Sequence, residues 1–326
     1  MNALPQRQLG ASDLTVSVMS LGSWRTFETI GRDMGLAVMR AAREAGITFL
    51  DDARYDDETG EAPVATGYSE IVFGDLFRAA GWVRDEVTVA NKLWWEHWPA
   101  EDAKTELDGS LRRMGLDYID LIYAIRPPEG LPISSVVEQV GSLIDSGQAR
   151  AWGTGMWTAA QHHTALEICE AADVPRPVAA QMATSLVDHS GPDDPEMIRA
   201  FERGPIGLVA SYVLAGGTLT GKYLSAGDIG RASNDASPVL AKGKALAPQV
   251  VSLATDWGIP PAHVAFAFAF AHPHLASVVF GASSAEQLGA NATAFETFNT
   301  LDDSQLAAIQ RLAVASDERY LGGIHD

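Results

Sequence analysis

Residues 118–157 are YIDLIYAIRPPEGLPISSVVEQVGSLIDSGQARAWGTGMW, and they contain a strand, a helix and a second strand in succession. The runs Tyr118–Ile125 and Ala151–Trp157 are almost continuously apolar, which is typical of parallel strands covered on both faces. Between them, Ser135-Val-Val-Glu138 matches the capping-box pattern that begins a helix, and Gly147 is placed to end it in a left-handed conformation. This stretch is therefore interpreted as one strand–helix–strand unit of an α/β protein.

The same alternation continues in both directions, from near residue 16 to near residue 296. Thr158–Gln161 and Ser284–Gln287 match the capping-box pattern at two further helix starts. Gly46 and Gly204 stand where helices should end in a left-handed conformation. Six more apolar runs are predicted as strands, namely Val16–Trp24, Ile47–Ala53, Val87–Leu93, Val178–Ser185, Ile206–Val213 and Ser277–Gly281.

Eight strand–helix units without a Pro- or Ser-rich linker predict one α/β domain over residues 1–326, a single (β/α)8 TIM barrel. The competing doubly wound fold usually carries a Gly-x-Gly-x-x-Gly turn after its first strand, and this sequence has none. We predict an N-terminal hairpin over Arg7–Leu14 and a C-terminal extra helix over Ser304–Ser316. A long connection from Lys222 to about Ala245 interrupts the alternation. Phe266–Phe270 alternates with alanine at a strand period, but the prolines before it and the element order favour a helix.

The composition excludes several classes of partner. The chain has 326 residues, is 47% hydrophobic and carries a net charge of −19. Nucleic acids and anionic membrane surfaces require clustered basic side chains, so we expect neither as a partner. The single cysteine, Cys169, cannot form an internal disulfide or a thiolate metal cluster, and we expect it to be buried and no metal to be bound. No signal peptide or bilayer-spanning run is evident, which predicts a cytoplasmic location.

The active site of such a barrel lies at the carboxyl ends of the strands. Asp51 lies near the end of the second predicted strand, Lys92 near the end of the third, and Tyr55 shortly after Asp51. Because neighbouring parallel strands lie about 4.8 Å apart, Asp51 and Lys92 can pair across them. Such a pair beside a phenol is suited to proton transfer, and we expect the positive charge to lower the pKa of Tyr55. The alternative is a structural ion pair at the barrel rim.

Tryptophans are concentrated at the same end of the predicted barrel. Of eight in the chain, five fall at strand ends or in the loops just after them: Trp24, Trp94, Trp95, Trp98 and Trp157. Such rings suit a concave apolar site for a small-molecule substrate, although some of them serve only in packing.

Several motifs, taken in this order, resemble the aldo-keto reductase family over nearly the whole chain. They are Arg7-Gln-Leu-Gly10, Val16–Trp24, Asp51-Asp-Ala53, Gly67-Tyr-Ser-Glu70, Phe73-Gly74, Lys92, Ser110–Leu121, Leu214–Tyr223 and Gly281–Leu288 with Asn291. The resemblance implies a nicotinamide cofactor, usually NADPH, bound in an extended form across the strand ends, and hydride transfer between it and a carbonyl group.

The resemblance also implies which residues bind the cofactor. The segment Leu214–Tyr223 looks like the family's pyrophosphate loop, whose glycines let backbone N–H groups approach phosphate while Lys222 adds charge. We favour NADP over NAD, although Gly281 and Gln287 stand where some branches of the family have basic residues. The matching positions are Gly22, Ser23, Trp24, Gln181, Ser211, Leu214, Gly216, Leu219, Gly221, Lys222, Arg231, Ser283, Gln287 and Asn291.

The catalytic centre departs from the family's Asp, Tyr, Lys and His quartet. Asp51 and Lys92 match it, but Tyr55 stands one residue closer to Asp51 than the pattern requires. We take Tyr55 as the candidate acid, with Tyr68 as a second candidate across an acidic insertion. Ile125 occupies the histidine position, and isoleucine cannot donate a hydrogen bond to a developing oxyanion.

The residues expected around the nicotinamide also depart from the family pattern, and other residues are candidates for substrate contact. Gly155 and Met156 stand where the family has Ser and Asn donors to the carboxamide. His97, in the loop after the third strand, is a candidate for an alternative polar group. The residues expected around the substrate are Trp94, Trp95, His97, Ile125 and Trp157.

These observations predict an NAD(P)H-dependent oxidoreductase with an altered proton relay. Its substrate would be a ketone, an aldehyde, a sugar-like alcohol or an imine, the last because a protonated C=N bond carries its own proton. The alternative is a cofactor-binding regulatory or sensor subunit with little or no turnover. The missing histidine favours that alternative, whereas Asp51 and Lys92 disfavour it.

Overall fold

The computed structural model describes residues 4–57, 60–224 and 237–313. Its strands are β1 Gln6–Gln8, β2 Thr15–Ser17, β3 Met19–Gly22, β4 Phe49–Asp51, β5 Thr88–Leu93, β6 Ile119–Ile125, β7 Ala149–Gly155, β8 Ala179–Ala183, β9 Gly207–Ser211 and β10 Leu275–Phe280. Strands β3 to β10 run parallel and close into one barrel, in which β10 pairs with β3. The predicted (β/α)8 barrel is confirmed, and each predicted barrel strand overlaps one of these strands.

Helices surround the barrel. They are α1 Arg32–Glu44, α2 Tyr68–Ala79, α3 Ala103–Met114, α4 Ile133–Asp145, α5 Ala159–Ala172, α6 Pro195–Arg203, α7 Pro238–Trp257, α8 Pro261–Phe270, α9 Ala285–Ala292, α10 Ala294–Phe298 and α11 Asp303–Leu312, with 3₁₀ turns at Arg84–Glu86 and Ala215–Thr220. None of the described helices has both the length and the apolar character that crossing a membrane requires.

The N-terminal hairpin is confirmed and closes one end of the barrel. Strands β1 and β2 pair in antiparallel fashion, and the turn between them carries Leu9 and Leu14 into the cluster of apolar side chains inside the barrel. Gly10 lies so close to the carbonyl oxygens of Val178 and Pro205, which precede β8 and β9, that a side chain there would collide with them. The hairpin therefore covers the amino-terminal end of the strands, and the carboxyl end is left for a ligand.

The predicted helix starts are only partly correct. Thr158 and Gln161 form the expected reciprocal capping box at α5. Ser284 caps α9 as predicted, but the Gln287 side chain accepts from Ser283 instead of closing the box. The prediction at Ser135 is wrong, because α4 begins at Ile133, directly after Pro132. The ring of Pro132 restricts its own φ, which suits it to the position just before the helix.

The predicted helix ends are also partly correct. Gly46 and Gly147 have φ values of 78° and 75°, in the left-handed region that glycine adopts without strain. Gly204 ends α6 with a φ of −99°, so the left-handed conformation predicted there is wrong.

Four further predictions concern individual segments of the chain. Phe266, Phe268 and Phe270 lie in helix α8, as predicted, and all three are buried because this helix is apolar on every side. The predicted long connection is shorter than expected, since α7 begins at Pro238, and residues 225–236 of it lie outside the described residues. The C-terminal helix is observed as α11, and Cys169 is buried in α5 as predicted.

Candidate active site

A cleft of about 280 Å³ opens at the carboxyl ends of the barrel strands. Non-glycine residues just beyond these ends adopt the strained left-handed conformation, with φ of 54° at Arg25, 64° at Trp95, 60° at Met156 and 58° at Tyr212. The cleft is lined by Gly22, Trp24, Arg25, Asp51, Tyr55, Lys92, Trp94, Ile125, Gly155, Met156, Gln181, Ala183, Ser211, Tyr212, Val213, Leu214, Gly216, Gly217, Lys222, Leu240, Val279, Phe280, Gly281, Ser283 and Gln287.

Asp51, Lys92 and Tyr55 form one connected group in this cleft. Asp51 ends β4 opposite Ala90 of β5, and Lys92 lies two residues further along the same face of β5. Lys92 Nζ is 2.6 Å from Asp51 Oδ1 and 3.2 Å from the Tyr55 hydroxyl oxygen. Gln181 Nε2 donates to the second oxygen of Asp51 at 2.9 Å. The ion pair is only 5% exposed on each side chain, so its two charges depend on each other for compensation.

The electrostatic surroundings of Tyr55 differ from the sequence-based expectation. Burial raises the pKa of Tyr55 well above the ordinary phenol value, and four nearby carboxyl groups raise it further: Asp51, Asp52, Glu28 and Glu70. The predicted lowering of this pKa is wrong, because the charge of Lys92 is matched by Asp51 while burial disfavours tyrosinate. Tyr55 is therefore a neutral phenol that holds a proton it can donate.

A buried carboxyl group lies behind this relay. The Ser23 hydroxyl donates to Asp52, and both side chains are buried. Burial, and then the charge of Glu70, raises the pKa of Asp52 well above its ordinary value. Ser23 was expected to contact the cofactor, but its hydroxyl is directed to Asp52, and Ser23 does not line the cleft.

Ile125 makes one wall of the cleft apolar. A methyl group added at Gly155 would lie 2.4 Å from Ile125 Cδ1, which shows that the Ile125 side chain extends over the neighbouring strand β7. The backbone carbonyl of Ile125 accepts from Trp95 Nε1 at 3.0 Å. Because its side chain has no polar atom, residue 125 offers the cleft no hydrogen-bond donor.

The opposite end of the cleft combines glycines with polar side chains. Gly216 and Gly217 have φ values of 64° and 83°, and a methyl group at Gly217 would lie 3.0 Å from Lys222 Cε. Across the cleft, the backbone N–H and the hydroxyl of Ser283 both donate to Gln287 Oε1, at 2.8 and 3.0 Å. This leaves the Gln287 amide N–H₂ as a donor for a ligand.

Some of the predicted site residues do not line the cleft. Trp157 is fully buried against Trp152 and His162, because the chain turns at Met156 and directs the ring under helix α5. Trp95 is also buried, and His97 lies exposed in the loop beyond it. The remaining ones that do not reach the cleft surface are Leu219, Gly221, Asn291 and the second candidate acid Tyr68, while Arg231 lies outside the described residues.

Other cleft residues carried little signal in the sequence. Arg25 and Tyr212 reach the cleft through left-handed turns, and both contact Trp24: its ring centroid lies 4.9 Å from the Arg25 guanidinium and 6.3 Å from the Tyr212 ring centroid. The sequence did contain a signal for Arg25 and Tyr212, because an arginine or a tyrosine that follows a strand end can reach the cleft. Leu240 comes from α7, beyond the interrupted connection, and no local pattern indicated it.

A family model described as "Aldo/keto reductase family" matches residues 18–314 of the chain. The chain belongs to the aldo/keto reductase family. The match extends from the first strand of the barrel to the end of α11, so it includes all strands that contribute to the cleft.

Proteins that are similar to the chain include two from plants. One from Oryza sativa subsp. japonica, named "Probable voltage-gated potassium channel subunit beta", is 29% identical over 96% of this chain and 98% of its own length. One from Arabidopsis thaliana with the same name is 28% identical over the same shares of the two chains.

Proposed function

We propose that this aldo/keto reductase is an enzyme that uses NADPH to reduce the C=O or C=N bond of a small molecule. The observation that carries the proposal is the contact of Lys92 with both Asp51 and the Tyr55 hydroxyl inside an otherwise largely apolar cleft. A half-buried, neutral phenol held by a buried ammonium is suited to donate a proton to a substrate that accepts hydride.

Features of the cleft support our proposal that it binds an extended dinucleotide. The left-handed glycines at 216 and 217 have no side chain that would keep a phosphate away from the backbone, and Lys222 adds a positive charge beside them. Ser283 and Gln287 would hold the adenosine-phosphate end, and the choice of NADPH over NADH rests on them together with Lys222 and Arg231. When bound, the nicotinamide supplies the hydride.

The chain's own residues would manage the proton. Lys92 holds the Tyr55 hydroxyl in place, and Asp51 keeps the ammonium charged and oriented. After Tyr55 gives up its proton, Lys92 stabilises the resulting tyrosinate. Gln181 is tied to Asp51 and helps to fix that carboxylate.

Ile125 bears on the substrate class. A second donor to a carbonyl oxygen is commonly worth 10²- to 10³-fold in rate, or about 3 kcal/mol, and residue 125 does not provide one. A protonated imine develops no oxyanion, so its reduction loses less than carbonyl reduction does. We therefore include cyclic imines beside aldehydes and ketones as candidate substrates for reduction, with a sugar-like alcohol as the hydride donor to NADP⁺ in the reverse direction. We place the activity in the cytoplasm.

The test is single-turnover mixing of the purified protein, loaded with NADPH, against a panel of aldehydes, ketones and cyclic imines. Oxidation of NADPH is followed at 340 nm, and the binding step is measured separately through quenching of tryptophan emission. The proposal expects tight NADPH binding and hydride transfer to at least one class. Failure of both NADPH and NADH to bind would overturn it.

The second candidate is a regulatory subunit that binds the cofactor without efficient turnover. The isoleucine at 125 favours it, and so does the name of the two plant relatives, "Probable voltage-gated potassium channel subunit beta". Tight NADPH binding with no oxidation by any panel member would favour this candidate over the enzyme.

A further inference from the structure

We infer that Glu106, in helix α3, is a positioning residue that holds Trp94 and Tyr55 in the geometry of the relay. The inference rests on the proposed reductase function, and it concerns a residue outside the relay and the cleft wall. Glu106 is buried. Because ionisable side chains are seldom buried without a partner, its contacts indicate its role.

The Glu106 carboxylate binds the loop that follows β5 through the backbone. Its Oε1 accepts the N–H of Trp94 at 2.8 Å, and its Oε2 accepts the N–H of Trp95 at 3.2 Å. Two donors on one carboxylate fix the direction of this short segment, where Trp95 adopts a left-handed φ of 64°. Such a φ is strained for a residue other than glycine and persists only where surrounding contacts impose it.

The same carboxylate also binds the segment that carries Tyr55. Arg54 Nη2 lies 3.4 Å from Glu106 Oε1 and 2.7 Å from Glu96 Oε2. The Arg54 side chain is buried and directly precedes Tyr55, so the position of its guanidinium constrains where the phenol can point. The Glu96 side chain is 45% exposed and that of Glu106 only 6%, so Glu106 is the buried partner of this arginine.

The two segments that Glu106 binds, one carrying Tyr55 and the other Trp94, contact each other in the cleft. The Tyr55 and Trp94 rings contact each other edge to face, with centroids 6.0 Å apart. Trp95 extends the link to a third strand end, because its indole N–H donates to the Ile125 carbonyl at 3.0 Å. One carboxylate in α3 thus ties together the ends of β4, β5 and β6, where the proton donor and the substrate wall lie.

Burial raises the pKa of Glu106, while the N–H groups of Trp94 and Trp95 and the charge of Arg54 oppose that rise. A glutamine at 106 keeps the size of the side chain but replaces one acceptor oxygen with an N–H₂ group. That group would face a backbone N–H and leave Arg54 without its buried counter-charge.

The experiment compares Glu106→Gln with Glu96→Gln, a control that removes only the exposed partner of Arg54. For Glu106→Gln we expect hydrogen exchange of the peptide containing Trp94 and Trp95 to be at least about tenfold faster. We also expect kcat to fall by roughly 10²-fold with the Kd for NADPH unchanged, since a displacement of about 1 Å is enough for that loss. Glu96→Gln should change each quantity by less than about threefold.

Equal exchange and equal kcat in the two variants would overturn the inference. If Glu106→Gln does not fold, Arg54→Lys tests the same connection, because it keeps the charge and loses the fork geometry. That variant should lower kcat without changing the NADPH Kd. The exchange measurement needs no turnover, so an absence of activity in the wild-type protein would count against the proposed function and leave the test of positioning intact.

Discussion

Lys92 Nζ lies 3.2 Å from the hydroxyl of Tyr55, even though Tyr55 follows Asp51 one residue sooner than the family pattern places its tyrosine. The chain absorbs this difference locally. The carbonyl of Tyr55 accepts from Gly67 N at 2.8 Å. The two ends of the acidic insertion therefore lie next to each other, and the insertion does not displace Tyr55. The phenol of Tyr55 therefore still reaches the Lys92 ammonium, although the tyrosine is shifted by one position in the sequence.

Tyr55→Phe and Lys92→Met should abolish most hydride transfer. Removing a positioned general acid typically costs 10²- to 10⁴-fold, and we expect kcat to fall within that range for Tyr55→Phe. Single-turnover oxidation of bound NADPH measures the loss. Tyr68→Phe is the matched control, because Tyr68 does not line the cleft, and it should retain activity. A wild-type kcat in Tyr55→Phe would show that Tyr55 is not the proton donor of the proposed relay.

The raised pKa of Tyr55 predicts the shape of the alkaline pH profile. Because the phenol stays protonated past its ordinary pKa of about 10, the rate of reduction should not decline between pH 7 and 9.5. Spectrophotometric titration at 295 nm tests this directly. The wild-type protein and Tyr55→Phe should give the same absorbance up to pH 10, and a wild-type excess appearing below pH 10 would contradict the prediction.

Ile125→His should raise the rate of carbonyl reduction. A histidine in this wall adds a donor beside the substrate oxygen, although its geometry is not optimised, so we expect about tenfold instead of the 10²- to 10³-fold of a preorganised donor. Imine reduction should be little affected.

Ile125→Val is the control for a change of size alone, and it should leave both rates near those of the wild-type protein. The histidine should also lower the free energy of unfolding by about 1–3 kcal/mol, since it places a polar ring at a buried apolar position. No gain with any carbonyl would mean that this position does not face the reacting oxygen.

The barrel could be predicted from the sequence because its strands are buried on both faces, and runs such as Tyr118–Ile125 are therefore apolar throughout. The Asp51–Lys92 pair was also predictable, since the ends of neighbouring parallel strands must meet at one edge. The predictions that failed concern properties that depend on elements distant in the sequence. The pKa of Tyr55 depends on burial and on Glu28 and Glu70, which approach from other parts of the chain.

The tryptophans illustrate the same limit. Trp94 and Trp157 both follow barrel strands, yet Trp94 lines the cleft and Trp157 is buried beneath α5. The difference arises from the left-handed turn at Met156, which reverses the direction in which the next side chain points. A methionine gives no signal for that conformation, which glycine or asparagine would suggest.

Two helical glycines should respond in opposite ways to alanine. In Gly74→Ala, the new methyl group would lie 2.0 Å from the backbone carbonyl oxygen of Met114, so α2 must move away from α3. We expect a loss of about 3 kcal/mol or more in the free energy of unfolding. In Gly141→Ala, nothing lies within 4 Å of the new methyl group, and α4 should gain about 0.5–1 kcal/mol. Denaturant unfolding of both variants tests the pair, and a tolerated Gly74→Ala would contradict the packing of α2 on α3.

The buried imidazole of His162 should make the protein lose stability in mild acid. Its Nε2 lies 2.7 Å from the Thr154 hydroxyl and its Nδ1 lies 3.0 Å from the Thr158 carbonyl, an arrangement that suits a neutral ring with the proton on Nδ1. Burial lowers the pKa of His162 from 6.5 to about 4. The unfolded chain then binds a proton more readily than the folded protein does. Stability that is present above pH 6.5 should therefore decline as the pH falls to about 4, by roughly 3 kcal/mol in total.

A comparison of His162→Gln with His163→Gln isolates this contribution. His162→Gln should be less stable than the wild-type protein at pH 7, because it loses the hydrogen bonds of the buried ring, and its free energy of unfolding should vary less between pH 7 and 4.5. The two curves should therefore converge in acid. His163 lies on the neighbouring, less buried side of α5, so His163→Gln should keep the wild-type slope. Parallel curves for the wild-type protein and His162→Gln would show that some other group, such as the buried His263 or the partly buried His272, carries the proton linkage.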